Sequence, residues 1–177
     1  MATTKILIAG FGGQGILFSG KALAFTGLKA DKQISWLPSY GPEMRGGTAS
    51  CSVTVSDEQI GSPIVDRPDV LVAMNLPSLE RYITATEKGG LAIYDSSLIS
   101  DFTKVDGVKT VGIPATKMAN DNALDGLANM IILGKLLKET NLFTLEQINA
   151  SLKEMIPPKK AHLLDKNISA IELGYNF

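Results

Sequence analysis

Short apolar runs alternate with longer segments of mixed polarity over the first two thirds of the chain, a pattern typical of strands separated by helices. The predicted strands are residues 6–9, 33–37, 48–55, 70–74, 91–94 and 110–113. Segment 48–55 alternates between apolar and hydroxyl-bearing residues, which indicates a half-buried strand antiparallel to a neighbour. We therefore predict an α/β fold of three layers, α/β/α, with a mixed, mostly parallel sheet.

Apolar residues at helical spacing predict the helices, most of which lie in the last third of the chain. The predicted helices are residues 13–29, one that begins near Pro77, 124–138, one that begins at Thr144, and 161–173. Gln147 follows Thr144 by three residues and completes a capping box, and Gly174 is the predicted C-cap of the last helix. Helix 124–138 is apolar around nearly its whole circumference, which indicates a central helix or a face that another subunit closes.

The length and net charge of the chain exclude some classes of function. The 177 residues predict one domain spanning 1–177, and 17 basic against 18 acidic residues give a net charge of −1. That balance predicts no binding to nucleic acid or to an anionic membrane. The sequence has no signal peptide and no apolar stretch of about 18 residues, so we expect a soluble, cytoplasmic protein.

Cys51 and His162 are the only residues of their kinds. A single cysteine excludes a disulfide within the chain and cannot by itself hold an iron–sulfur cluster. A single histidine makes a zinc site or a histidine-activated nucleophile a poor interpretation. We predict a core thiol at Cys51, a solvated side chain at His162, no metal site and no catalytic residue.

A glycine-rich segment, residues 10–15, joins the first strand to the first helix and makes this unit Rossmann-like. Such a turn leaves backbone N–H groups uncovered at a helix N-terminus, where an anion or a partner's backbone can approach. Binding of a dinucleotide also requires an acidic residue at the end of the second strand. Asp31 precedes that strand and is expected at the opposite edge of the sheet. A tight turn explains two or three of the glycines. We favour a backbone-lined concavity for a phosphate or for a partner's loop.

A second loop, residues 39–47, follows the second predicted strand and is expected at the same edge as the glycine loop. Pro42 stiffens its middle, and the loop presents Tyr40, Glu43, Met44 and Arg45. Aromatic, Met and Arg side chains are typical of interface anchors. The planar guanidinium of Arg45 is also suited to a phosphate or a carboxylate.

The two loops together carry a resemblance to a known family that covers essentially the whole chain. Residues 10–15, with the sequence GFGGQG, and residues 39–47, with the sequence SYGPEMRGG, resemble the gamma subunit of 2-oxoacid:ferredoxin oxidoreductases. The form of the second loop is most similar to that of the 2-oxoglutarate and the branched-chain (2-oxoisovalerate) enzymes.

The resemblance implies that the chain works within a larger enzyme and is inactive alone. Such enzymes decarboxylate a 2-oxoacid on thiamine diphosphate, pass electrons through iron–sulfur clusters to ferredoxin and release an acyl-CoA. The chain has no Gly-Asp-Gly thiamine signature, so the resemblance assigns thiamine diphosphate and the clusters to alpha, beta and ferredoxin-like delta subunits.

The resemblance also implies a surface near the site where coenzyme A arrives. The residues carried over as cofactor-binding are Gly12, Gly13, Gln14, Gly15 and Arg45, and those carried over as the partner interface are Tyr40, Glu43 and Met44. Whether the glycine loop contacts coenzyme A or a partner's loop stays open at this point.

Two other functions remain as alternatives. The chain could be a free-standing nucleotide-binding domain that uses the glycine loop, or a scaffold subunit that only makes protein contacts. The resemblance favours 2-oxoglutarate as the substrate of the assembly, although partner subunits are expected to recognise the oxoacid side chain. The oligomeric state of the isolated chain is not predicted.

Overall fold

A computed structural model describes residues 3–40 and 48–177, and a six-stranded sheet in the order β2-β3-β1-β4-β5-β6 lies at its centre. The strands are β1 (Thr4–Phe11), β2 (Gln33–Tyr40), β3 (Thr48–Ser56), β4 (Val70–Ala73), β5 (Leu91–Asp95) and β6 (Lys109–Ile113). All six predicted strands are confirmed. β2 extends beyond its predicted end at residue 37, because Pro38 is tolerated in a strand at the edge of a sheet.

Six helices accompany the sheet in the described residues. They are α1 (Ile16–Lys29), α2 (Leu76–Ile83), α3 (Ala115–Asp121), α4 (Ala128–Thr140), α5 (Leu145–Met155) and α6 (Ala161–Tyr175), with a short 3₁₀ turn at Pro158–Lys160. The predicted capping box is confirmed, since the Thr144 amide donates to Gln147 Oε1 at 2.9 Å and Thr144 Oγ1 accepts from the Gln147 amide at 3.3 Å.

The prediction for helix 124–138 was wrong at its N-terminal end, and α3 was not predicted. α4 begins at Ala128, because left-handed backbone at Ala123 (φ 55°) and Gly126 (φ 79°) turns the chain between α3 and α4. α3 is a helix of seven residues with few apolar positions, so its sequence carries little periodic signal.

One reversed strand explains the mixed character of the sheet. β1, β4, β5 and β6 pair in parallel, whereas β3 is antiparallel to both β1 and β2. The carboxyl end of β2 therefore lies at the same edge as the carboxyl end of β1. Ala49 of β3 lies opposite both Gly10 and Tyr40, so the strand ends that precede the two sequence motifs meet at one edge, as predicted.

Apolar residues cover both faces of the sheet, which confirms the three-layer α/β/α architecture. Ile6 and Ile8 of β1 point to the face covered by α1, α3 and α4, with α5 and α6 packed outside them. Leu7, between them, points to the opposite face and packs in a smaller cluster with Leu79 and Ile83 of α2. This alternation along β1 follows from the two-residue repeat of a strand.

α4 and α6 contact each other backbone to backbone. A Cβ on Gly134 of α4 would lie 2.0 Å from the Ile171 carbonyl oxygen, and one on Gly174 of α6 would lie 1.8 Å from the Ile131 carbonyl oxygen. Gly174 is therefore a packing residue inside α6 and not the predicted C-cap, so that prediction was wrong. The two glycines let α6 cover α4, which is a central helix whose apolar surface is buried within the chain.

Replacing Gly174 by alanine is expected to lower the free energy of unfolding by about 2 kcal/mol, because a methyl group would overlap the Ile131 carbonyl. The better helix propensity of alanine, worth roughly 0.5–1 kcal/mol, offsets this only in part. Urea unfolding of the full chain measures the difference. Gly61→Ala is the control, because no atom lies within 4 Å of a Cβ built there. Equal stability of the two variants would contradict the proposed close contact.

Candidate functional site

The glycine loop, residues 10–15, joins β1 to α1 at the carboxyl edge of the sheet. Gly13 and Gly15 have left-handed backbone, with φ of 98° and 74°. Gly10 is restricted by space, since a Cβ there would lie 2.9 Å from Met74 Cβ. Backbone conformation or lack of space therefore explains why glycine occupies three of the four glycine positions in this loop.

Gln14 holds this loop to the end of β4. Its Oε1 accepts hydrogen bonds from the Phe11 amide at 2.7 Å and from Asn75 Nδ2 at 3.3 Å, and its Nε2 donates to the Met74 carbonyl at 3.1 Å. Both polar atoms of the side chain are therefore engaged within the chain. The geometry gives Gln14 the role of a brace between two strand ends.

Asn75 extends this brace to α2. It is buried, and its Oδ1 accepts from the Ser78 amide at 2.9 Å, which caps the N-terminus of α2. Since its Nδ2 donates to Gln14, one pair of amide side chains connects the β1–α1 and β4–α2 turns. The two turns form one polar unit at the carboxyl edge of the sheet.

The N-terminus of α1 opens into a cavity of about 430 Å³. Gly15 provides no capping side chain, and the first turn of α1 contains no acidic residue. Within residues 3–40 and 48–177, the amides of Ile16, Leu17 and Phe18 have no hydrogen-bond acceptor. The cavity is lined by Phe11, Gly12, Gly13, Gly15, Ile16, Leu17, Phe18 and Ala49. Unpaired N–H groups beside an apolar wall can donate hydrogen bonds to an anionic or carbonyl oxygen of a ligand whose apolar part packs against the wall.

A smaller cavity, of about 180 Å³, lies on the other side of the glycine loop, against α3 and the α3–α4 turn. Gln14, Thr116 and Asn120 contribute its polar lining. Asp95, at the end of β5, holds Thr116 by two hydrogen bonds. Its Oδ2 accepts from the Thr116 amide at 3.1 Å and from Thr116 Oγ1 at 2.5 Å. Asp95 Oδ1 accepts from the Ser97 amide at 3.0 Å, so the carboxylate also holds the turn that follows β5.

Comparison with known proteins identifies the family. The family described as pyruvate ferredoxin/flavodoxin oxidoreductase matches residues 5–177, which is nearly the whole sequence. The chain belongs to this family. The resemblance inferred from the two sequence motifs is confirmed at this level.

Two curated relatives of this oxidoreductase-family domain come from Methanothermobacter thermautotrophicus. Ketoisovalerate oxidoreductase subunit VorA is 39% identical over 96% of this chain and 35% of its own length. 2-Oxoglutarate synthase subunit KorC is 34% identical over 96% of this chain and 92% of its own length. The domain thus spans about a third of VorA and nearly all of KorC.

A solved structure with the same fold is 2-oxoglutarate:ferredoxin oxidoreductase from Magnetococcus marinus, with 2-oxoglutarate, coenzyme A and succinyl-CoA bound. Its TM-score is 0.88 at 26% identity, and the match covers 99% of this chain and 31% of that chain. The gamma-type fold therefore occurs both as a separate polypeptide and as part of one about three times as long.

The structure brings together only some of the predicted site residues of this oxidoreductase-family domain. Gly12, Gly13 and Gly15 line the large cavity beside α1, where their predicted contact with a ligand stays a prediction. The side chain of Tyr40, with Glu43, Met44 and Arg45, lies outside the described residues.

The other sequence predictions can be located too. Asp31 lies in the turn before β2, at the edge opposite the glycine loop, as expected from its position. His162 is exposed near the start of α6. Asn129 and Thr116 were not predicted, because single polar residues near helix starts are common in sequences. Over residues 3–40 and 48–177, no three His, Cys, Asp or Glu side chains are placed to hold a metal ion, and no helix is long and apolar enough to cross a membrane.

Cys51 is a core residue, as predicted. Its side chain is 0% exposed beneath α1, and its Sγ lies 3.5 Å from the Ile16 carbonyl oxygen, to which the thiol donates. Burial raises the pKa of the Cys51 thiol from its ordinary 9.0 to about 12. The thiol is therefore protonated at neutral pH and unsuited to nucleophilic chemistry or metal binding.

Replacing Gln14 by alanine is expected to lower the free energy of unfolding by about 2 kcal/mol, because the Phe11 amide and the Met74 carbonyl lose their partner. Thermal or urea unfolding of the full chain measures the loss. Gln59→Ala removes the same side chain from an exposed position and is expected to change stability by less than about 0.5 kcal/mol. Similar losses in the two variants would show that Gln14 does not hold the loop.

Proposed function

We propose that this chain is the gamma subunit, or the gamma-type domain, of a 2-oxoacid:ferredoxin oxidoreductase. The family match over residues 5–177, together with a nearly full-length match to KorC, carries the proposal. In the proposed reaction the bond between the carboxylate and the keto carbon breaks and CO₂ leaves. The acyl group is transferred to the sulfur of coenzyme A, whose thiol proton is released to water, and the two electrons of the broken bond pass one at a time to two equivalents of oxidised ferredoxin.

The redox centres of this reaction belong to partner subunits in our proposal. An iron–sulfur cluster needs about four thiolates, whereas the chain has one cysteine, which is buried. The residues of this chain therefore do not fit a cluster. We assign thiamine diphosphate and the clusters to alpha, beta and ferredoxin-like delta subunits, or to the corresponding domains of a longer polypeptide.

We further propose that the 430 Å³ cavity beside α1 contributes to the binding site of coenzyme A as a substrate. The support is geometric: the amides of Ile16, Leu17 and Phe18 have no acceptor among the described residues, and the positive end of the α1 dipole lies beside them. A phosphate oxygen of coenzyme A can accept from such amides. Phe11 and Phe18 provide apolar surface for the uncharged part of the molecule.

For the 2-oxoacid we propose 2-oxoglutarate, because the chain and KorC correspond over nearly their whole lengths. Ketoisovalerate is the second candidate, and the higher sequence identity to VorA favours it. Partner subunits are expected to make the contacts with the oxoacid side chain, so the identity of the substrate is a property of the assembly.

An affinity tag on this chain in its native host tests the function. The chain is expected to co-purify with thiamine-dependent and iron–sulfur subunits, and the complex to reduce ferredoxin only when a 2-oxoacid and coenzyme A are both present. We expect kcat/KM to be at least about tenfold higher for 2-oxoglutarate than for ketoisovalerate. The reverse order would select the second candidate.

Two results would reject the proposed function. One is oxidation of a metabolite by the chain purified alone. The other is binding of an intact dinucleotide to the isolated chain with a Kd of about 1 μM or lower, measured by calorimetry, which would support a free-standing nucleotide-binding domain.

A Leu17→Glu variant tests the location of the coenzyme A site. A carboxylate in the first turn of α1 is compatible with the helix dipole but would repel phosphates from the cavity. We expect the KM for coenzyme A to rise by about tenfold or more in Leu17→Glu. The change is expected to be much smaller in Leu17→Gln, because glutamine has the shape of glutamate without its charge. Loss of assembly in both variants, with an unchanged KM in any complex that forms, would indicate a partner's loop in this cavity instead.

A further inference from the structure

Asn129, near the start of α4, reaches across to the first turn of α1. Its Nδ2 donates to the Gly15 carbonyl at 3.1 Å and to Ser19 Oγ at 3.0 Å. The side chain is 6% exposed, and it does not line the cavity beside α1. Asn129 therefore contacts the glycine loop from within the protein.

The fit between Asn129 and Gly15 is close. Gly15 has a φ of 74°, and a Cβ on it would lie 2.4 Å from Asn129 Nδ2. The carboxamide thus occupies the space that any other residue at position 15 would need. The Gly15 carbonyl also accepts from the Ser19 amide at 3.1 Å and from Ser19 Oγ at 3.2 Å, so it is held from both α1 and α4.

The direction of the free amides at the N-terminus of α1 depends on the conformation of Gly15, because Gly15 is the N-cap residue. Gln14 fixes the preceding part of the loop to the sheet through the Phe11 amide and the Met74 carbonyl. Asn129 fixes the following part to α4. The loop is thus held at two successive residues, at Gln14 by its own side chain and at Gly15 by that of Asn129.

We propose that Asn129 is a positioning residue: by holding the Gly15 carbonyl it sets the direction in which the amides of Ile16, Leu17 and Phe18 face the cavity. This proposal rests on the proposed role of that cavity in binding coenzyme A. Asn129 does not contact the ligand in this arrangement and acts through Gly15 alone.

Asn167 provides a matched control. It is 5% exposed, lies on α6, and uses its Nδ2 for a hydrogen bond to the Leu163 carbonyl within its own helix. In both asparagines, Oδ1 has no partner among the described groups. Asn129→Ala and Asn167→Ala thus remove side chains of equal burial, and only the first contacts the glycine loop.

The first readout is hydrogen exchange in the full chain. The Ser19 amide donates to the Gly15 carbonyl that Asn129 holds, and in Asn129→Ala it is expected to exchange about tenfold faster, as the loss of one ordinary hydrogen bond would allow. Asn167→Ala is expected to leave the exchange of the Ser19 amide unchanged. Asn129→Asp keeps the shape of the side chain and removes the donor. It is expected to behave like Asn129→Ala, because the hydrogen bond to Gly15 is lost. Exchange like that of wild type would show that only the packing of the side chain matters and would contradict the proposal.

The second readout is the kinetics of the tagged complex. Asn129→Ala is expected to raise the KM for coenzyme A by about tenfold with kcat within about twofold, whereas Asn167→Ala leaves both unchanged. Unchanged exchange of the Ser19 amide, or an unchanged KM in a complex that depends on coenzyme A, overturns the positioning role. A wild-type complex that shows no dependence on coenzyme A rejects the proposed function instead, and hydrogen exchange then decides the positioning role by itself.

Discussion

The contact between α4 and α6 is the constraint on which the arrangement of the site depends. Gly134 and Gly174 each face a carbonyl oxygen of the other helix at a distance that no side chain would permit. Close-packed interiors do not adjust continuously, so this contact allows α4 little freedom to shift. α4 in turn carries Asn129, and Asn129 holds Gly15. The glycine loop is therefore located by the helical layer as well as by the sheet.

In the described residues, amide side chains hold the glycine loop in place at the carboxyl edge of the sheet. Gln14 and Asn75 satisfy each other and the adjacent backbone, and Asn129 satisfies the Gly15 carbonyl. Buried amides of this kind are costly when a partner is lost, which makes their arrangement specific. Within the described residues, the amides of Ile16, Leu17 and Phe18 at the adjoining start of α1 have no acceptor. In the proposed complex with coenzyme A, a loop held by these side chains loses little conformational freedom when an acceptor arrives.

Much of the fold follows from patterns that are local in sequence. Residues 70–73 and 91–93 are continuous apolar runs buried on both faces, and such runs are easily recognised. The alternation in 48–55 correctly indicated the reversed strand, because only a strand with two different faces keeps such a pattern. The capping box at Thr144 is also a local signal.

The other features of the fold and of the candidate site depend on tertiary contacts, which no local sequence pattern reveals. Gly174 has the sequence position of a C-cap, yet it lies within α6. Glycine is required there because the backbone of α4 leaves no room for a side chain. Gln14 has the polarity expected of a ligand-binding residue, yet both its polar atoms bond to residues near it in space, two of them about sixty positions away in sequence. Asn129 carries no distinguishing signal, since its partner at Gly15 is brought close only when α4 packs beside α1.

The order of synthesis gives the α4–α6 contact a further consequence. α6 follows α4 and α5 along the chain, so a nascent polypeptide that has completed α4 still lacks the helix that shields it. Until Ala161–Tyr175 has been synthesised, the face of α4 that α6 covers stays exposed to water. Partly folded chains with exposed apolar surface are prone to aggregate. The close packing of α4 and α6 thus leaves this part of the fold incomplete until late in the synthesis of the domain.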